Sequence, residues 1–166
     1  MENQARKMYD YHVWANQTMF NRLKELPEDV YTREIQSVFS SVSKVISHIY
    51  TVDLCWLHIL SGKSMPDALA LTLPLQEQMY GKTVLEMESL YAELASRFAS
   101  VLDSLDNMEE TITLDNPYAG VRDTSYSEIV LQVVNHGTYH RGNLTAMLRQ
   151  MGHASVMTEY ALFWYS

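Results

Sequence analysis

The chain has one cysteine, four prolines and six glycines among 166 residues, and each scarcity excludes something. A single cysteine, Cys55, forbids an intrachain disulfide and suits a reducing, cytoplasmic setting. Few prolines and glycines mean few breaks, which disfavours many short strands joined by tight turns and favours long helices. No apolar run approaches the ~20 residues that span a bilayer, so no membrane partner is expected. The opening MENQARKMYDYHVW lacks the apolar core of a secretory leader. Basic residues are also sparse: 12 Lys and Arg stand against 20 Asp and Glu, a formal charge of −8. They are scattered rather than gathered in a stripe, so the electrostatic footprint of a nucleic-acid binder is missing.

What the chain does have is apolar surface to bury. Hydrophobic residues make up 47% and charged residues 19% of it, which predicts one globular domain over residues 1–166.

The apolar residues fall into four stripes at helical spacing. From about Asn3 to Leu26 the stripe is Ala5, Met8, His12, Ala15, Met19 and Leu23, and Pro27 stops it. From about Val38 to Leu60 it is Val38, Val42, Val45, Ile49, Val52, Trp56 and Ile59, with Gly62 placed for a left-handed cap. Thr83 with Glu86 opens a third helix as a capping box; Val84, Met87, Tyr91, Leu94, Phe98, Val101 and Leu105 follow. Ser125 with Glu128 opens the fourth in the same way, with a seam of Tyr126, Val130, Val133, Gly137, His140, Leu144, Met147 and Met151. Four amphipathic helices predict an all-α, four-helix bundle. Residues 63–82, with two prolines, read as a connection long enough to cross the bundle. Between residues 107 and 124, the alternating Thr111-Ile112-Thr113-Leu114 and the turn-like Asn116-Pro117-Tyr118-Ala119-Gly120 predict a small β-hairpin before the last helix.

Two histidines stand out on the fourth stripe. His136 and His140 are one turn apart, with Cβ atoms ~6 Å from each other, and two imidazoles so placed can converge on one cation. Gly137 removes bulk beside them. It also occupies the place where HExxH metalloproteases need their glutamate base, which excludes that mechanism. A histidine on an apolar face is more often a hydrogen-bonded core residue. His48 shifts the balance: lying between Val45 and Val52, it also faces inward. Two helices can then present three neutral imidazoles to one point, with at least one position open, the arrangement of a catalytic zinc site rather than a structural one.

Other candidates are weaker. His12, on the inner stripe of the first helix, is either a support for the metal or a core residue. His58 and His153 fall off the stripes and read as solvated. Cys55, two turns beyond His48, lies ~10 Å along the helix from it, too far to share an ion comfortably, and reads as core filler. Asp53 and Glu88 read as residues of solvated faces. Tyr9, Tyr11, Trp14, Trp164 and Tyr165 read as ordinary packing, with a pocket mouth or subunit contact as the alternative. Phosphate loops and nucleophile elbows are absent from the sequence.

The segments YDYHVWANQTMFNRL, SHIYTVDLCWL and VVNHGTYHRGNLTAMLRQMG together resemble the DinB family of metal-dependent enzymes, over essentially the whole chain. The most specific element is H-x-x-x-H-R-G followed by a leucine-rich helix and glycine. The resemblance implies an up-down-down-up bundle with a crossover connection and a metal triad of His48, His136 and His140. It also implies zinc or nickel as the ion, and frequently a homodimer. Where activity is known among such proteins, it is transfer or isomerisation with a low-molecular-weight thiol cosubstrate. The family name records induction by DNA damage, a stress response, and implies no contact with DNA.

On this reading the expected function is thiol-dependent S-transfer to a small-molecule electrophile, with metal-activated water and hydrolysis as a variant. Arg141 and Asn143 could hold a carboxylate of the thiol, although a surface salt bridge is the plainer reading of Arg141. The alternative is a non-catalytic metal-binding protein of the stress response, or an interaction protein. It stays open because no general base accompanies the histidines in the sequence.

Overall fold

The computed structural model describes residues 3–166; Met1 and Glu2, the first residues of the expected domain, lie outside the described residues. The elements in chain order are α1 (Gln4–Lys24), α2 (Asp29–Thr32), α3 (Val42–Leu60), α4 (Met65–Met79), α5 (Val84–Ser104), β1 (Thr111–Asn116), β2 (Gly120–Ser125), α6 (Tyr126–Gln150) and α7 (Tyr160–Phe163). The long helices α1, α3, α5 and α6 close a bundle in which α6 packs on α1 and α3, and α5 packs on the same two from the other side. β1 and β2 pair antiparallel, Thr111 opposite Ser125 and Asn116 opposite Gly120. The protein is therefore all-α apart from one hairpin. Among the described residues, no helix is long and apolar enough to cross a membrane.

The helix ends follow local chemistry. Thr83 accepts from the Glu86 amide and Ser125 from the Glu128 amide, and each glutamate returns a bond to its cap backbone, so both capping boxes form. Gly62 adopts φ +94° after α3, and the Lys63 amide turns back to the His58 carbonyl at 3.0 Å, closing the left-handed cap. The seam residues Ala15, Val45, Phe98, Val130 and Leu144 are fully buried. Each large apolar side chain so buried contributes about 1.5–3 kcal/mol, so packing of the seams rather than helix propensity holds the bundle together.

Two expectations about boundaries are corrected. The second long helix begins at Val42, not Val38, which is 70% exposed. Ser41 takes the cap position and accepts from the Lys44 amide, because a serine oxygen competes for backbone donors and favours a helix start over a helix interior. The stretch before it is irregular, and that leaves Phe39 free to fold over the site described below. The crossover segment 63–82 is itself mostly helical. Ser64 caps α4, and Pro66 falls in its first turn, where a missing amide proton costs nothing. Pro74 lies inside the helix on its exposed side, so α4 continues through it and lies along α3, touching β1.

Candidate metal centre

His48 comes from the middle of α3, and His136 and His140 from successive turns of α6. Packing of α3 against α6 brings the three rings together. One ligand nitrogen from each lies within 4.8 Å of the others, and His48 Nε2 is 3.1 Å from His136 Nε2. The His140 ring centroid is 4.6 Å from that of His48 and 4.4 Å from that of His136. Bonds of ~2.0–2.1 Å to a tetrahedral ion place donor nitrogens about 3.4 Å apart. The His48–His136 pair, at 3.1 Å, is close to that spacing.

The electrostatics favour neutral ligands. Burial first, then the charges His140, His48 and His12 would carry, pushes His136 down to about 3. Burial and His48 push His140 down to about 4, and burial lowers His48 as well. At neutral pH all three imidazoles are uncharged, and each has one nitrogen lone pair that a cation can take. His136 Nδ1 is buried without a hydrogen-bond partner, and an unmet buried donor or acceptor costs about 1–3 kcal/mol. A cluster of polar rings with so few mutual bonds is a poor way to fill a core. The donor set fits a divalent ion of borderline softness, for which neutral imidazole nitrogens are well suited.

Neighbouring residues hold the rings. Asn143 Nδ2 lies 3.2 Å from His140 Nδ1 and, as placed, donates to it; the amide turned over would offer Oδ1 to an Nδ1 proton and leave the Nε2 lone pair for a ligand. Phe39 packs against His48 at 5.4 Å and against His140 at 5.5 Å between centroids, and Tyr139 stands edge-on to His140 at 5.0 Å. Of these, Phe39 and Tyr139 had no signal in the sequence, since an aromatic in an irregular segment or on an exposed helix face has no periodicity to place it.

His12 lies behind this cluster rather than in it. Its Nε2 is 2.8 Å from Asp53 Oδ2, and Arg141 Nη1 approaches its Nδ1 at 3.2 Å. A guanidinium only donates, so Nδ1 accepts and the Nε2 proton goes to the carboxylate. Arg141 also donates to Asn16 Oδ1 at 2.8 Å and to Thr138 Oγ1 at 2.9 Å. Two expectations fail here. Arg141 is only 2% exposed and Asp53 only 3%, so neither sits on a solvated face, and Arg141 makes no surface salt bridge. The signal was present: Asp53 is a lone acid inside VDLCWL, and Arg141 falls four residues after Gly137 and three before Leu144 on the inner seam.

The remaining candidates stay outside the cluster. His58 and His153 are half-buried away from it. Glu88 pairs with Lys24 at 2.6 Å near the surface. Cys55 is buried, and burial raises its thiol above the usual range. Tyr9 stacks on Phe98 at 4.6 Å, and Tyr11 donates to the Thr158 carbonyl at 2.7 Å, so both pack. Trp14 lies 5.9 Å from Phe163, while Trp164 and Tyr165 are exposed.

The chain is similar to known proteins over its length. The profile of the DinB family matches residues 1–166. A protein of Bacillus subtilis (strain 168) named Protein DinB is 50% identical over 163 residues, covering 98% of this chain and 95% of that protein.

Proposed function

The chain belongs to the DinB family, and from that premise we propose that His48, His136 and His140 hold one divalent cation, zinc or nickel, at the centre of a thiol-dependent S-transferase for small electrophiles. The observation that carries the reading is the convergence of three neutral imidazole nitrogens within 4.8 Å with no carboxylate or thiol in the cluster. Three protein donors leave a tetrahedral ion one position for an exogenous ligand. A divalent ion held there supplies Lewis acidity, which depresses the pKa of a thiol or a water that reaches it.

The chain's own residues prepare that position. Asn143 orients the His140 ring, and the Phe39 ring packs against His48 and His140. The buried His12–Asp53–Arg141 network stiffens the junction of α1, α3 and α6, where the two ligand-bearing helices meet. In the transfer, the thiolate sulfur forms a bond to the electrophilic carbon while the leaving group departs with its electron pair. The cytoplasm, which keeps thiols reduced, is the setting this chemistry needs.

The test is turnover by zinc- or nickel-loaded protein with a panel of low-molecular-weight thiols and an aryl halide, against a His136→Ala control. Conjugation by wild type that falls at least ~100-fold in the variant supports the transferase. Equal rates in the two would leave a non-catalytic metal-binding protein, and hydrolysis without a thiol would make water the nucleophile.

A further inference from the structure

A cavity of about 250 Å³ lies between α3 and α4, and His48 forms part of its wall. His48 is thus shared between the triad and a half-open groove. We propose that this groove is the specificity pocket and receives an apolar group such as one aromatic ring or a short branched alkyl chain. The inference rests on the metal reading above and adds to it the class of molecule selected.

The walls argue for an apolar guest. Val52, Trp56, Met65, Leu69 and Leu73 line it. The polar residues among them have their donors engaged elsewhere. Thr51 Oγ1 donates to the Ser47 carbonyl at 3.0 Å, and Thr72 Oγ1 to the Ala68 carbonyl at 2.9 Å. Gln76 Nε2 donates to the Tyr80 hydroxyl at 3.0 Å. The Cys55 thiol is kept neutral by burial and bonded by Thr72, so it too offers a soft, weakly polar surface. A guest here meets the His48 imidazole and the Gln76 amide hydrogen-bonded to it as the polar end of the wall.

Size is consistent with this: an apolar cavity of ~150 Å³ accepts benzene, so about 250 Å³ admits one ring with a short linker. The 81% exposed Tyr118, in the hairpin turn, stands at the mouth. The crossover helix therefore has a chemical purpose: α4 supplies Met65, Leu69, Thr72 and Leu73, the half of the wall that a bare loop could not hold in place.

The experiment uses cobalt(II)-loaded protein and reads thiol binding from the sulfur-to-cobalt charge-transfer absorption. Its probes are 2-mercaptoethanol and benzyl mercaptan. The expected result for wild type is benzyl mercaptan binding at least ~10-fold tighter than 2-mercaptoethanol, the effect of burying a ring. Leu69→Trp, which fills the pocket, should bring that preference close to unity. Cobalt bound at one ion per chain, with equal affinities for the two thiols in wild type or with a preference unmoved by Leu69→Trp, would overturn the pocket while leaving the metal reading intact. Failure of wild-type protein to take up cobalt would overturn the metal reading and this inference with it.

Discussion

Asn143 shows how a single residue acts through another at this site. It touches the ring of His140 and no other member of the triad among the contacts described, so its substitution tests orientation without removing a ligand. Outer partners of this kind are worth roughly 10–100-fold in metal affinity. Asn143→Leu is expected to weaken zinc binding by about that factor in a competition titration, with the urea midpoint of the metal-free protein little changed because Asn143 is only half-buried. An unaltered affinity would mean that His140 is held by Phe39 and Tyr139 alone. Arg141 is the opposite case. The sequence neighbour of His140 points a quarter-turn or more away from the triad and is locked to Asn16 and Thr138, so it belongs to the core of the bundle rather than to the ion.

At the scale of elements, Gly137 decides how closely α1 approaches α6. A Cβ there would lie 2.3 Å from His12 Cε1 and 2.6 Å from His12 Nδ1, and the His12 ring cannot swing away without losing its bond to Asp53. Alanine gains about 1 kcal/mol of helix propensity over glycine. Overpacking costs about 1–3 kcal/mol, and a buried hydrogen bond left half-made costs a similar amount. The steric terms win, so Gly137→Ala is expected to destabilise the protein by about 1–3 kcal/mol, read as a lower urea midpoint at constant slope. A raised midpoint would show that α1 slides freely on α6.

The same scale shows what was legible in the sequence. The four long helices, both capping boxes, the Gly62 cap and the hairpin follow from spacing and from residues whose effects are local. So does the inward direction of His48, His136 and His140. Helix α4 was hidden by Pro66 and Pro74, since proline weighs against a helix unless one knows that the first lies in its first turn. Asp53 and Arg141 were misplaced because charge normally implies solvent, and their pairing through His12 joins three helices that only the folded chain brings together. Phe39 was invisible because an irregular segment has no periodicity to place it.

For the molecule as a whole, the histidine cluster couples stability to pH. In the metal-free protein His136 titrates near 3 and His140 near 4, against 6.5 for a free imidazole. As pH falls through about 6.5, the unfolded chain takes up protons that the folded one refuses. Stability therefore declines on acidification, from about 6.5 down towards 4. The upper part of that window lies above the usual glutamate value of 4.5, so the carboxylates contribute little to it. Urea midpoints of chelator-treated protein should fall steadily between pH 7 and 5, and the slope should flatten in His136→Leu/His140→Leu. A flat wild-type profile would contradict the burial of these rings. The acidic charge of −8 belongs to this scale too, and it disfavours any partner bearing a phosphate backbone.

The most direct test of the central claim is elemental analysis of untagged protein, wild type beside His140→Ala, after incubation with zinc and nickel and removal of free ions. The account predicts close to one ion per chain in wild type and a large loss in the variant. Wild-type protein that holds no metal, or a variant that holds as much as wild type, would contradict it.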